Sequence, residues 1–247
     1  MSCWLLAVAM EPEARLLIPL LEPAPALGRK PCFSGRLAGR QVHLLLTGLG
    51  LVNAAQAVAA ACERLAGLTA IINLGCAGAY AGSGLKVGDA ALANEAVLAD
   101  SGLLTSQAWH PLERLGLPLL RDSQGRDHYH RWPCDPALND LFAGARPGIR
   151  RGVFATVSQV SGDPATAAVM EQRWGALLED MESAAVAQVA ALYGLPCACL
   201  RGVSNIAGQR ELDVAAGAGA AQEVLLALDI EAIYLSSACL TGGHRDK

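Results

Sequence analysis

Glu179-Asp180-Met181-Glu182-Ser183-Ala184-Ala185, followed further on by Arg201-Gly202-Val203-Ser204-Asn205, is the part of the chain whose reading decides the fold. The spacing predicts an Ala-rich helix over Met181 to Tyr193, with the carboxylate of Glu182 at its start. An apolar strand, Leu195 to Val203, comes next and ends on the small polar pair Ser204 and Asn205. A short helix and the strand after it span one face of an α/β layer, so both polar groups can reach one cleft. A carboxylate suits the diol of a sugar, and an amide suits a heterocycle. Together they outline a nucleoside site that the rest of the chain has to support.

Working outward, apolar strands alternate with helices along the whole sequence. Trp4 to Met10, Thr69 to Leu74, Val87 to Val97 and Gly152 to Val160 read as strands, and Cys32 to Leu37 with Gln41 to Thr47 as a hairpin around Gly39. Val52 to Leu65, Asp135 to Ala143, Pro164 to Trp174 and Ala221 to Leu235 read as helices, and Glu13 to Leu21 as a short amphipathic one behind Pro12. Pro23, Pro25 and Pro31 mark a loop. Residues 101 to 135 lack a clear period yet hold two of the four tryptophans, Trp109 and Trp132. A segment of that length in a compact domain serves a function or moves. The alternation predicts an α/β fold: one three-layer α/β/α sandwich over residues 1–240, with a central mixed, mostly parallel sheet and a frayed tail at 241–247.

Composition narrows the function classes. The chain has 247 residues, 53% of them apolar but only 4% aromatic, so Ala, Leu, Val and Gly must form the core. A net charge of -4 without a Lys/Arg run argues against nucleic acid or an anionic membrane as partner. No apolar run approaches the roughly 20 residues of a bilayer span. The N-terminus has no basic region before Glu11-Pro12-Glu13, so it reads as a buried strand of a cytoplasmic protein rather than a leader. The eight cysteines include no C-x-x-C pair, and Cys197 and Cys199 share one side of an apolar strand. They read as small buried thiols. His128 and His130 stand without an acidic partner at ligand spacing, and no metal or other cofactor is expected.

Three further stretches carry chemistry. Thr47-Gly48-Leu49-Gly50-Leu51-Val52-Asn53 joins a strand to a helix, where backbone N–H groups can bind an anion. It is equally a plain tight turn, and it lacks the third glycine of a dinucleotide site. Gly75-Cys76-Ala77-Gly78 reads as a second strand-end loop, a glycine turn of positive φ or a part of the ligand crevice. Glu11 and Glu13 close the first strand. They are either a solvated helix N-terminus or, at this strand end, a general base facing the same crevice.

Taken in order, these pieces resemble the purine nucleoside phosphorylase/nucleosidase superfamily, in particular its hydrolytic branch. The resemblance runs from Ala9-Met10-Glu11-Pro12-Glu13 through both glycine stretches and Leu85-Lys86-Val87-Gly88-Asp89 to Asp180-Met181-Glu182-Ser183 and Arg201 to Asn205. It implies a homo-oligomer, a dimer or larger, acting on a small purine nucleoside with water. It also implies that Glu13 activates the water, that Glu182 holds the 2′ and 3′ hydroxyls while Met181 packs on the sugar, and that Ser204 and Asn205 handle the base. Gly48, Cys76, Ala77, Gly78, Gln159, Val160 and Asp180 are expected at the substrate as well. Nucleosidases of methylthioadenosine carry Ser-Asp where this chain has Ser204-Asn205. An amide offers NH₂ and C=O together, which suits a 6-oxopurine and resembles the futalosine hydrolase subgroup, from which release of hypoxanthine is expected. Arg is absent from both glycine stretches and Cys76 replaces a hydroxyl, so phosphate is disfavoured as the nucleophile.

Overall fold

The computed structural model describes residues 3–241 apart from 38, 123 and 210, with side chains described as far as Leu228. Strand β1 (Cys3–Val8) is buried along its whole length. Its alternation sends Leu5 and Ala7 into the core on one face of the sheet and Trp4, Leu6 and Val8 into the core on the other. The chain then turns through two short 3-10 segments, Glu11–Ala14 and Ile18–Leu20. They replace the amphipathic helix expected over Glu13 to Leu21. Pro19, inside that span, has no N–H to donate and would clash with the preceding turn of an α-helix.

Residues Glu22–Leu27, expected as a proline loop, form strand β2. It pairs only with β3 (Lys30–Leu37) at the edge of the sheet, where a missing N–H goes unnoticed. β3 and β4 (Arg40–Leu46) make the expected hairpin. After helix α1 (Leu51–Arg64) comes β5 (Leu68–Ala79), which overturns a second expectation. Gly75 to Gly78 do not leave the sheet in a turn but continue the strand, and neither glycine has a positive φ. The neighbouring strands extend as far as β5 does, so its backbone keeps partners to the end.

Strand β6 (Ala90–Leu98) enters the aperiodic segment, which is built from the two-residue ladders β7 (Leu103–Leu104) with β8 (Trp109–His110) and β9 (Leu120–Arg121) with β10 (Asp127–His128). It returns as β11 (Arg131–Pro133), antiparallel to β6. Then follow α2 (Pro136–Ala145), β12 (Arg150–Thr156), α3 (Pro164–Trp174), β13 (Ala176–Asp180), α4 (Ser183–Leu192), β14 (Cys197–Ile206) and α5 (Val214–Thr241). Strand β13 was not anticipated, being short and ending on two acids. The tail expected to fray lies outside the described residues beyond Thr241.

The large sheet runs β2-β3-β4-β1-β5-β13-β12-β6-β11, and β14 pairs with both β5 and β6. Strands β5, β13, β12, β6 and β14 therefore close on one another, a feature the sandwich expectation did not contain. Nor is the sheet mostly parallel. Among the described residues the parallel pairings β1–β4, β1–β5, β5–β14, β6–β12 and β12–β13 are matched by antiparallel β2–β3, β3–β4, β5–β13, β6–β11 and β6–β14. Helices α1 and α4 pack on one face, and α2 and α5 on the other.

The contact between α5 and β14 is set by glycine. A Cβ on Gly202 would overlap the carbonyl oxygen of Gly217. Gly202→Ala is expected to cost ~1–3 kcal/mol or more through overpacking. Each kcal/mol should lower Tm by about 2–4 °C in a chain of this size, read by thermal circular dichroism. An unchanged Tm would show that the helix can step back freely.

Candidate active site

The C-terminal ends of the parallel strands β1, β5 and β14 lie on one edge of the sheet, and the acids that end β13 meet them there. They enclose a cleft of about 450 Å³. Four carboxylates, Glu13, Glu179, Asp180 and Glu182, line it, and all are buried. Each needs hydrogen-bond donors to be held there.

Glu13 sits in the first 3-10 turn, where its Oε2 accepts from the Met10 N–H at 3.2 Å. Its Oε1 accepts from the Cys76 N–H at 2.8 Å. Gly75 makes the approach possible, because a Cβ there would lie 2.7 Å from Glu13 Oε1. The Cys76 thiol beside it is pushed up to about 12, by burial first and then by the charge of Glu13. It is therefore held as S–H and is no nucleophile.

Glu182 stands at the start of α4, and its side chain reaches across to the glycine turn before α1, where Oε1 accepts from the Gly50 N–H at 2.8 Å. Gly48 and Gly50 both take left-handed φ, 87° and 88°, which aims that N–H. The anion at the N-terminus of α1 is thus the chain's own carboxylate. Glu182 is raised to about 7 from the ordinary carboxylate range. Burial is the main cause, reinforced by the negative charges of Asp180 and Glu13 and opposed by Arg201 and the Gly50 N–H.

Arg201, fully buried, anchors the group from behind. Its Nε donates to Asp180 Oδ2 at 3.1 Å and its Nη2 to Asn73 Oδ1 at 2.6 Å, with Glu182 Oε2 at 3.6 Å. Asp180 spends its remaining capacity on Thr156 Oγ1, the Glu182 and Ser183 N–H groups and the Ser183 hydroxyl. At the far side, Ser204 Oγ lies 3.2 Å from the Ala77 carbonyl and 2.9 Å from Asn205 Oδ1. The Asn205 amide extends over Gly78, where an added Cβ would come within 3.2 Å of Nδ2. The cleft thus offers the carboxylates of Glu13 and Glu182 and, over Gly78, the amide of Asn205.

The phosphorylase superfamily matches residues 5–233 of this chain. The chain belongs to that superfamily. It is 39% identical over 200 residues to a futalosine hydrolase of Thermus thermophilus, covering 79% of this chain and 84% of that one. It is 32% identical over 209 residues to a 5'-methylthioadenosine/S-adenosylhomocysteine nucleosidase of a Geobacillus species, covering 81% and 84%. Its fold matches the futalosine hydrolase of Helicobacter pylori with a TM-score of 0.77 at 20% identity, over 93% of this chain and 98% of that one. It matches equally the Neisseria meningitidis nucleosidase in complex with methylthio-immucillin-A, TM-score 0.77 at 23% identity, over 92% and 98%. The relatives are nucleosidases, and this member of the phosphorylase superfamily is an N-glycosyl hydrolase.

In this phosphorylase-superfamily cleft the structure brings together Glu13, Cys76, Ala77, Gly78, Val160, Asp180, Met181, Glu182, Ser204 and Asn205. Two expected residues fall outside it. Gly48 packs near Asn53 and Lys30, and it is the next glycine, Gly50, whose N–H reaches Glu182. Gln159 is exposed, with its N–H on Asp100 Oδ2 at 3.3 Å. Asp180 is on the cleft wall, but its carboxylate is occupied by internal partners, so it positions Arg201 and α4 rather than substrate. Trp109 and Trp132, candidates for covering the 5′ end of a substrate, do not line the cleft. Trp132 is buried against the core and Trp109 packs on Trp174 with ring centroids 5.7 Å apart.

Sequence reasoning missed Glu179, Ser161 and Asn73. Glu179 Oε1 accepts from the Ser161 N–H at 2.9 Å, while Oε2 accepts from Ser161 Oγ at 2.6 Å and Tyr80 Oη at 3.2 Å. Only the register of β13 on β5 could have placed them. Asn73 carries a faint signal as a polar residue inside an apolar strand.

Proposed function

We propose that the chain hydrolyses the N-glycosidic bond of futalosine, releasing hypoxanthine and dehypoxanthinyl futalosine on a route to menaquinone. The observation that carries the reading is Asn205, an amide rather than a carboxylate in a cleft that also holds Glu13 and Glu182. The 39% identity to a futalosine hydrolase supports it.

Water attacks the anomeric carbon, and the bond from that carbon to the purine nitrogen breaks with its electron pair leaving on the base. Glu13 orients the water and takes its proton. Glu182 accepts from the ribosyl hydroxyls and faces the positive charge that grows on the sugar. Asn205, one of whose amide hydrogens goes to the Ile206 carbonyl at 3.2 Å, donates the other toward O6 and N7, where negative charge collects; Ser204 holds the amide in place, and water protonates the departing base to give neutral hypoxanthine. Among the described residues no Lys or Arg lines the cleft, which supports water over phosphate. The reading carries with it a cytoplasmic homo-oligomer of three-layer α/β/α architecture that needs no cofactor. Among the described residues no helix is long and apolar enough to cross a membrane.

One chromatographic assay tests the proposal: futalosine, inosine and methylthioadenosine, each with and without phosphate. Phosphate-independent hypoxanthine from futalosine is expected. Adenine from methylthioadenosine as the main product would assign the chain to the other nucleosidase class among its relatives, and phosphate-dependent turnover would make it a phosphorylase. Asn205→Asp is expected to shift the ratio of kcat/KM for 6-oxo over 6-amino nucleosides by at least about tenfold toward the latter, since a misplaced acceptor leaves a polar edge unpaired. An unshifted ratio would remove Asn205 as the selector.

A further inference from the structure

Asn73 interrupts the apolar run of β5 and is only 1% exposed. Burying an amide costs free energy unless its polar atoms are paired, so its partners show what it holds. It is the Cα partner of Ala7 on β1 and of Cys199 on β14, and it projects with them to the face on which α1 and α4 pack. Its Nδ2 donates to the Ala7 carbonyl at 3.0 Å. Its Oδ1 accepts from Arg201 Nη2 at 2.6 Å. A carbonyl only accepts and a guanidinium only donates, so these two partners fix which way the amide faces.

Arg201 is shared between the amide and two acids. Its Nε bonds to Asp180 Oδ2 at 3.1 Å, while Nη2 has Asn73 Oδ1 at 2.6 Å and Glu182 Oε2 at 3.6 Å. The last separation is an ion pair without a hydrogen bond. Glu182 spends Oε1 on the Gly50 N–H, and among the described residues no hydrogen bond closes on its Oε2. In a buried site, a guanidinium this near a carboxylate is drawn into a shorter, charge-assisted bond unless another acceptor holds it. Asn73 Oδ1 is that acceptor on Nη2.

We infer that Asn73 is a positioning residue whose amide oxygen holds the Arg201 guanidinium off Glu182, so that Glu182 Oε2 stays open to the ribosyl hydroxyls. The inference rests on the reading of Glu182 as the carboxylate that binds the sugar diol. A closed ion pair would satisfy Oε2 and cancel the charge that is to face the cationic sugar. Held back, Arg201 steadies the acid without engaging it. The balance of charge fits: around Glu182, burial and then the acids Asp180, at the end of β13, and Glu13, on the first 3-10 turn, outweigh Arg201 on β14 and the Gly50 N–H before α1.

The test compares wild type, Asn73→Val and Asn73→Asp in two readouts. One is the pH profile of kcat/KM with futalosine and inosine. The other is the titration of the Glu182 carboxyl by NMR in protein carrying ¹³C-labelled glutamate, its signal assigned with Glu182→Gln. Asn73→Val suits a strand and has no acceptor, so Arg201 closes on Glu182. The Glu182 midpoint is expected to fall by about one pH unit or more. At about pH 8, where the acid is ionised in each protein, kcat/KM is expected to drop at least about tenfold, chiefly through KM. Asn73→Ala carries the same expectation and stands in if the valine variant does not fold. Asn73→Asp keeps an oxygen for Nη2, so its midpoint is expected at or above that of wild type. A merely loosened core would move both variants the same way. An unmoved midpoint without the acceptor, or one lowered alike in Asn73→Asp, would overturn the inference. A wild type that releases no base from either nucleoside defeats the functional reading, while the NMR arm still reports whether Asn73 holds Arg201 off Glu182.

Discussion

Glu13→Gln lowers kcat/KM for nucleoside hydrolysis by an expected 10²–10⁴-fold, the usual range for removing a positioned general base, at roughly constant stability. The isostere keeps an amide oxygen to accept the Cys76 N–H, the shorter of the two bonds that hold the acid. It cannot take a proton from water. Steady-state release of base, measured beside the thermal melt, separates lost chemistry from lost fold. Activity within a few fold of wild type would move the base elsewhere in the cleft.

Glu182→Gln is expected to cost about 10²–10³-fold in kcat, the scale of removing one preorganised electrostatic contact from a buried site. It also carries a signature in pH. Because Glu182 is raised to about 7 and must be ionised to face a cationic sugar, kcat/KM of the wild type should climb through neutral pH. That limb should vanish in the variant. The stability effect has the opposite sign. A carboxyl whose folded value lies above its ordinary 4.5 favours folding fully below about that pH, and this contribution is lost as pH rises through 7. Gln mimics the protonated form. The difference in Tm, variant minus wild type, should therefore grow more positive from pH 5 to pH 8. A flat difference would mean that Glu182 is ionised in the fold throughout that range.

The two acids also show why parts of the site were legible in the sequence. Glu182 stands beside an Ala-rich helix and Glu13 behind an apolar strand, so each was marked by an abrupt change in local composition. Glu179 sits one residue before Asp180 and carries no such mark. Its direction depends on which strand β13 pairs with, and that pairing is antiparallel in a stretch too short to announce itself. Gly75 and Gly78 misled for a related reason. A glycine in isolation reads as a turn, but these two lie in an extended strand because Glu13 and Asn205 occupy the space where their side chains would be. Pro23 and Pro25 likewise argue against a strand until the sheet is seen to end there.

Local periodicity and composition by themselves determined the α/β class, most helix positions, the hairpin, and the places of Glu13 behind the first strand, Glu182 at a helix start and Ser204 with Asn205 at a strand end. These are properties of short segments, set by the spacing of apolar residues and by the polar groups that interrupt them. Only the tertiary structure decided that five strands close on one another, that Arg201 gathers Asp180, Glu182 and Asn73, and that Glu179 and Asn205 both pair with Gly78. Those facts depend on register and pairing between segments distant in sequence, where a single step of slip would send every side chain to the opposite face.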